Sequence, residues 1–213
     1  MSWSKRGSGK GRRAYHHGDL REALVEAALS LIADKGPAGF TFAEAARETG
    51  VSAAAPYRHF RDRDALLADV ARRGFELLET DMDKAWNGGS PNEIAAFKAI
   101  GAAYLNFARK EPAYYTAMFE AGLPPDTSAE LDRASDAAFN VLRNAAEVLT
   151  ADMRKDKRPP AMMMALHVWS LSHGIASLFA RGDAARRKLP MPPEDLLEAA
   201  VLIYLDGLGI GVK

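Results

Sequence analysis

The chain has 213 residues, 48% hydrophobic and 26% charged, with 28 basic and 28 acidic side chains, enough length for one or two domains with a real core. It has no cysteine, which excludes disulfide staples and thiolate metal sites. No uninterrupted apolar run reaches the roughly 18 residues of a membrane span, and the basic N-terminus lacks the apolar stretch of a signal peptide, so a soluble cytoplasmic protein that meets no membrane is expected.

Residues 1–18 hold five basic and no acidic side chains among many Gly and Ser, which predicts a flexible basic arm. A first helix is expected over Leu20 to Lys35. Asp19 and Glu22 form its cap pair, Leu24, Ala27, Ala28, Leu31 and Ile32 its apolar stripe, and Gly36 its stop. At Thr41 a capping box with Glu44 starts a second helix, with Phe42, Ala45 and Ala46 on one face. Gly50 ends it where a left-handed residue is needed. Ser52 is placed to cap a third short helix running to Phe60. Pro56 stands where its first amide bond is required, so that helix either starts a residue or two late or carries a distorted first turn. Pro56 and Phe60, four apart, share the buried side, leaving Tyr57, Arg58 and His59 outward. Asp62 caps a long helix from Arg63 to Trp86, ended by Asn87-Gly88-Gly89.

Ser90-Pro91-Asn92-Glu93 reads as a helix start with Ser90 as cap and Pro91 at the first position. That helix carries Ile94 to Phe107, is broken at Glu111-Pro112, and is followed by a short helix with Tyr114, Tyr115, Met118 and Phe119. Further helices are expected over Ser128–Ala151, Ala161–Arg181 and Pro193–Leu208. No alternating strand pattern occurs, so the fold class is all-α with about nine helices. A three-helix head is joined by a long helix to a C-terminal helical domain.

Two short helices about a tight glycine turn form a helix-turn-helix, the unit that lays its second helix in the DNA major groove. Charge agrees. Residues 1–73 hold 13 basic against 9 acidic side chains and the remainder 15 against 19, a basic front for phosphate. Ala53 and Ala54 offer only methyl groups to thymine, and Arg58 is the one long donor. Thr41, Tyr57 and His59 suit phosphate oxygens, Arg12 and Arg13 suit a narrow minor groove, and Ser52 and Arg63 complete the expected contact set with double-stranded DNA.

In the rear, Tyr104, Phe107, Tyr115, Met118, Phe119, Trp169 and His173 gather aromatic bulk with a few polar tips. At helical spacing such residues build either plain core or the wall of a ligand pocket. Small residues at Ser170, Ser172, Gly174, Ala199, Ala200 and Gly207 allow helices to approach closely.

The helix-turn-helix segment resembles the TetR/AcrR-type transcriptional regulators, whose pattern is close to V-S-x-G-T-L-Y-x-H-F-x-x-K-x-x-L. Val51, Ser52, Tyr57, His59, Phe60 and Leu66 stand in register, while Ala54, Ala55, Pro56 and Arg63 replace Gly, Thr, Leu and Lys. Tyr15 to Leu20 and Trp169…His173-Gly174 are similar to a subgroup named for a Trp/His/Gly motif. The resemblance implies an arm over 1–18, a DNA-binding domain over 19–65 and a ligand-binding and dimerisation domain over 66–213. It further implies a homodimer through helices at about 161–181 and 193–208, a palindromic operator, and release by a small, largely apolar effector without any cofactor. Two other classes stay open, a ligand-independent architectural DNA binder and an enzyme using the rear cavity. For the latter the chain lacks a Gly-rich phosphate loop, a G-x-S-x-G elbow and metal-ligand spacing.

Overall fold

The computed structural model of the chain describes residues 20–124, 126–180 and 190–211. Among these are eight α-helices, two short 3-10 turns and no strand. The arm with Arg12 and Arg13, the Asp19 cap and the Tyr15–Asp19 stretch lie outside the described residues.

Helix α1 spans Leu20–Lys35 and buries Leu24, Val25, Ala28, Leu31 and Ile32. Gly36, at φ 74°, lets its amide donate back to the Ile32 carbonyl at 2.8 Å and close the helix. Helix α2 spans Phe42–Glu48, and both halves of the Thr41–Glu44 capping box form. Gly50 follows at φ 73°. The expected third helix is shortened. Ala55–Arg58 is a single 3-10 turn with no side-chain cap, and the Ser52 carbonyl, not its hydroxyl, accepts from the Ala55 amide at 3.0 Å. Pro56, second in the turn, has no amide to give and fixes its own φ, which favours the tight late turn over a full α-helix.

Helix α3 is Arg63–Trp86, capped by the Asp62 carboxylate and ended by left-handed Asn87. Helix α4 is Glu93–Lys110, and here the expected start shifts by two residues. The cap is Asn92, whose side chain accepts from the Ala95 amide at 2.9 Å, in place of Ser90. Helix α5 is Pro112–Glu120, α6 is Ala129–Leu149 with Ser128 as cap, α7 is Ala161–Ala180 and α8 is Pro193–Gly207.

These helices enclose two cores. The head core joins α1 and α2 to Phe60 and to Leu66, Leu67 and Val70 of α3, and takes in Ala117 of α5. The rear core joins Phe75, Leu78 and Met82 of α3 to α4, α6, α7 and α8. Each such side chain contributes about 1.5–3 kcal/mol when fully buried, so α3 and α5, which serve both cores, tie head to rear.

Averaged over Ala161–Phe179, α7 is long and apolar enough to cross a membrane, although no unbroken apolar run does so. The cause is that both its sides are apolar. Met164, Ala165, Val168, Ile175 and Ala176 enter the rear core, while Met163, Leu166 and Leu178 are 40%, 50% and 51% exposed. Ile203 of α8 is 74% exposed, and a hydrogen bond of 3.1 Å between His167 Nδ1 and the Tyr204 hydroxyl ties the two helices side by side.

Candidate functional site

The glycine turn and Pro56 set what the head displays. Pro56 and Phe60 are buried, and the Pro56 carbonyl accepts from the amides of His59 and Phe60 at 2.9 and 3.0 Å. Ser52, Ala53, Ala54, Tyr57, Arg58 and His59 are left on the exposed side. Tyr57 is 61% exposed, yet its ring stands edge-on to Phe42 with centroids 5.0 Å apart, so the phenol is held against α2. The Thr41 hydroxyl serves the capping box, accepting from the Glu44 amide at 3.2 Å and donating to the Glu44 carboxylate at 3.0 Å. Lys35 at 2.9 Å and then the Thr41 amide hold that carboxyl down at about 2. Arg63 turns back into the head, with its guanidinium over the Phe40 ring and bonded to the carbonyls of Phe40 and Pro37. It therefore braces the loop before α2.

A buried acid fastens α1 to α3. The Asp69 side chain is 5% exposed and meets Arg21 of α1 at 2.7 Å, Arg72 at 3.0 Å and Arg73 at 3.1 Å. Arg73 in turn reaches both Glu22 oxygens, at 2.6 and 2.5 Å, and this bonding lowers the Glu22 carboxyl below its ordinary value. Sequence reading did not single out Asp69. Its only signal is an acid standing within the apolar run Leu66 to Val70.

In the rear, α4, α5 and α7 bring together five of the seven expected ligand-side residues. The hydroxyls of Tyr104 and Tyr115, 2% and 3% exposed, lie 3.0 and 2.9 Å from His173 Nδ1. Both hydroxyls converge on this one ring nitrogen, whose role as donor or acceptor follows the tautomer of the imidazole. Burial, followed by Tyr115, pushes the Tyr104 phenol well above its ordinary range. Phe119 stands edge-on to His173 at 4.8 Å, and Trp169 edge-on to Tyr104 at 5.4 Å. Phe75 of α3 and Phe139 of α6 join at 5.5 Å from Phe119 and 5.6 Å from Trp169, two rings that sequence reading left out. Phe107 is buried in the same core. Met118 turns toward α3, where an ideal Cβ on Gly74 would come within 2.6 Å of its sulfur.

Comparison with known proteins bears on both halves. Residues 24–70 match the model of the bacterial regulatory proteins of the tetR family, and residues 97–204 match that of the tetracyclin repressor-like C-terminal domain. An uncharacterized HTH-type transcriptional regulator, YerO of Bacillus subtilis (strain 168), is 32% identical over 94 residues, 42% of this chain. The matched stretch spans about a third (32%) of the length of that curated relative. A protein of unknown function from Rhodococcus sp. RHA1 has the same fold at 31% identity and a TM-score of 0.76, over 92% of this chain and 98% of that one. PfmR from Thermus thermophilus, a TetR family transcriptional regulator, shares the fold at 20% identity and a TM-score of 0.63, over 89% of this chain and 98% of its own.

Proposed function

The chain belongs to the TetR family of DNA-binding transcriptional regulators, and from that premise we propose that it is a cytoplasmic, homodimeric repressor released from a palindromic operator by a small, largely apolar effector. The observation that carries the reading is the surface of Ser52–His59. Pro56 and Phe60 anchor it from below, so that Ala53, Ala54, Tyr57, Arg58 and His59 stand free to meet a duplex. Arg58 reads a base edge. Ser52, Tyr57 and His59 set register on phosphate, while Thr41, expected there too, gives its hydroxyl and amide to Glu44, and Arg63 acts at one remove by bracing the head. Residues 1–18 serve as the arm, 19–65 as the DNA-binding domain and 66–213 as the effector and dimer domain. Dimerisation is supported by the apolar side of α7 and α8 that the single chain leaves exposed. Two heads then reach two half-sites.

Selection of bound duplexes from a random pool tests the reading. The expected result is a two-fold symmetric consensus, with Arg58→Ala costing about 1–3 kcal/mol at one position per half-site. Deleting residues 1–13 should weaken binding and lower its salt slope through the lost contacts of Arg12 and Arg13. A footprint without sequence preference would favour an architectural DNA binder, and indifference to all DNA would overturn the regulator.

A further inference from the structure

A cavity of about 470 Å3 opens between α4, α5, α7 and the first turn of α8, a size within the roughly 300–1,000 Å3 usual for small-molecule sites. It is apolar at Leu105, Ala108, Pro112, Ala176, Phe179 and Pro193. Among the described residues its two charged lining side chains, Arg109 and Glu194, pair at 3.0 Å and are 66% and 38% exposed. The cavity lies one helical turn from the aromatic cluster on three helices at once. Ala108 follows Tyr104 on α4, Pro112 precedes Tyr115 on α5, and Ala176 follows His173 on α7. Close packing of α8 on α4 keeps Pro193 and Glu194 at the rim, since an ideal Cβ on Gly101 would come within 2.9 Å of Leu197 Cδ2, one turn further along α8.

We propose that this cavity takes a small aliphatic carboxylic acid, with the chain inside and the carboxylate on Arg109 in exchange for Glu194. An ion pair this exposed contributes little, so Glu194 gives way readily. The guanidinium matches a carboxylate with two parallel donors, and a bond of 3.1 Å to Asn106 keeps it at the rim when Glu194 leaves. Released Glu194 sits in the first turn of α8, where the helix N-terminus favours its charge. One turn away on the same helices, Tyr104 and Tyr115 direct their hydroxyls at His173, and the described lining itself offers an incoming chain apolar surface.

This inference names the ligand of the effector reading and rests on that reading for its link to DNA, but binding itself is tested apart from DNA. Straight-chain carboxylic acids of increasing length, with the matched alcohols and amines, are titrated into the full chain by calorimetry. Affinity for the acids should rise roughly fourfold per methylene until the cavity is full, and each acid should bind about tenfold tighter than its alcohol. Arg109→Gln should erase the acid's advantage and leave alcohol binding in place. Ala176→Phe should abolish binding of all three series, with Ala108→Phe as the second filling variant if the first melts early. Absence of binding, an amine that outbinds the acid, or affinities untouched by R109Q or by filling would overturn the site. Operator affinity is followed separately by fluorescence anisotropy. A bound acid that leaves it unchanged would refute the effector role, whereas unliganded protein that holds no duplex would refute the regulator reading.

Discussion

Removing the Asp69 carboxylate tests whether α1 is held to α3 by this buried acid. In Asp69→Ala, Arg21, Arg72 and Arg73 lose a common partner that is 5% exposed. Deleting one member of a fully buried ion pair costs about 3–5 kcal/mol. The three arginines are 49%, 23% and 21% exposed, so water recovers part of the loss. Arg73 also keeps Glu22 and Arg72 keeps Glu76. A net cost of about 2–3 kcal/mol follows, a large share of the roughly 5–15 kcal/mol that holds a domain together. Because α1 is the helix released from α3, the head should loosen first. Urea unfolding should show the loss, and operator affinity should fall at denaturant-free conditions. Asp69→Asn, which retains an acceptor, should lose about half as much. A midpoint for Asp69→Ala within about 0.5 kcal/mol of the parent at unchanged slope would refute the reasoning.

Ile203→Asp should break the proposed dimer. Burying two copies of an isoleucine that is 74% exposed in the single chain contributes about 1.5–3 kcal/mol each, so dissociation should rise by two or more orders of magnitude. Sedimentation at micromolar protein reads this directly, and an unaffected dimer would move the interface elsewhere. Acid should unfasten α2. The Glu44 carboxyl is depressed from 4.5 to about 2 by Lys35 and Thr41, so its stabilising contribution is whole above about pH 4.5 and is lost as pH falls toward 2. Glu22 and Asp62 are lowered too, so the readout is a difference. Glu44→Gln should lower the melting temperature at neutral pH and converge on the parent near pH 2, and parallel melting curves across that window would count against it.

Element starts and stops were legible wherever one residue decides them. Thr41 with Glu44, Gly50, Asp62 and Asn87 each impose a local geometry that no distant contact overrides. One local reading went astray where two candidates compete within a few residues, since Asn92 took the cap that Ser90 also offered. The late, distorted turn expected from Pro56 is a 3-10 turn that does not extend to Phe60. In the rear, aromatic spacing located Tyr104, Tyr115, Phe119, Trp169 and His173, because bulk at intervals of three and four is itself the signal. Phe139 was missed among the alanines and polar residues of α6, and Asp69 among apolar neighbours. Their roles come from what they meet across the fold, Trp169 for one and Arg21 for the other, and neither partner is near in sequence.

The coupling between rear and head need not run along α3 alone. Helix α5 has only nine residues and two occupied faces. Tyr115 reaches His173 and packs in the rear core, while Ala117, 1% exposed, sits in the head core beside α1. A displacement of the aromatic cluster therefore reaches α1 across a single helix, whereas α3 carries it over more than a turn between Phe75 and Val70. Ala117→Leu separates the two routes. It adds three carbons to a closed head core, overpacking by about 1–3 kcal/mol, and touches neither DNA nor effector. Operator affinity without effector should drop about tenfold. Leu142→Ala, which costs about 2–5 kcal/mol in the rear core on α6, serves as the matched control and should leave operator affinity in place. If Ala117→Leu binds its operator within twofold of the parent and still releases it on effector, α3 is the whole path, and the contact of α5 with α1 is packing and nothing more.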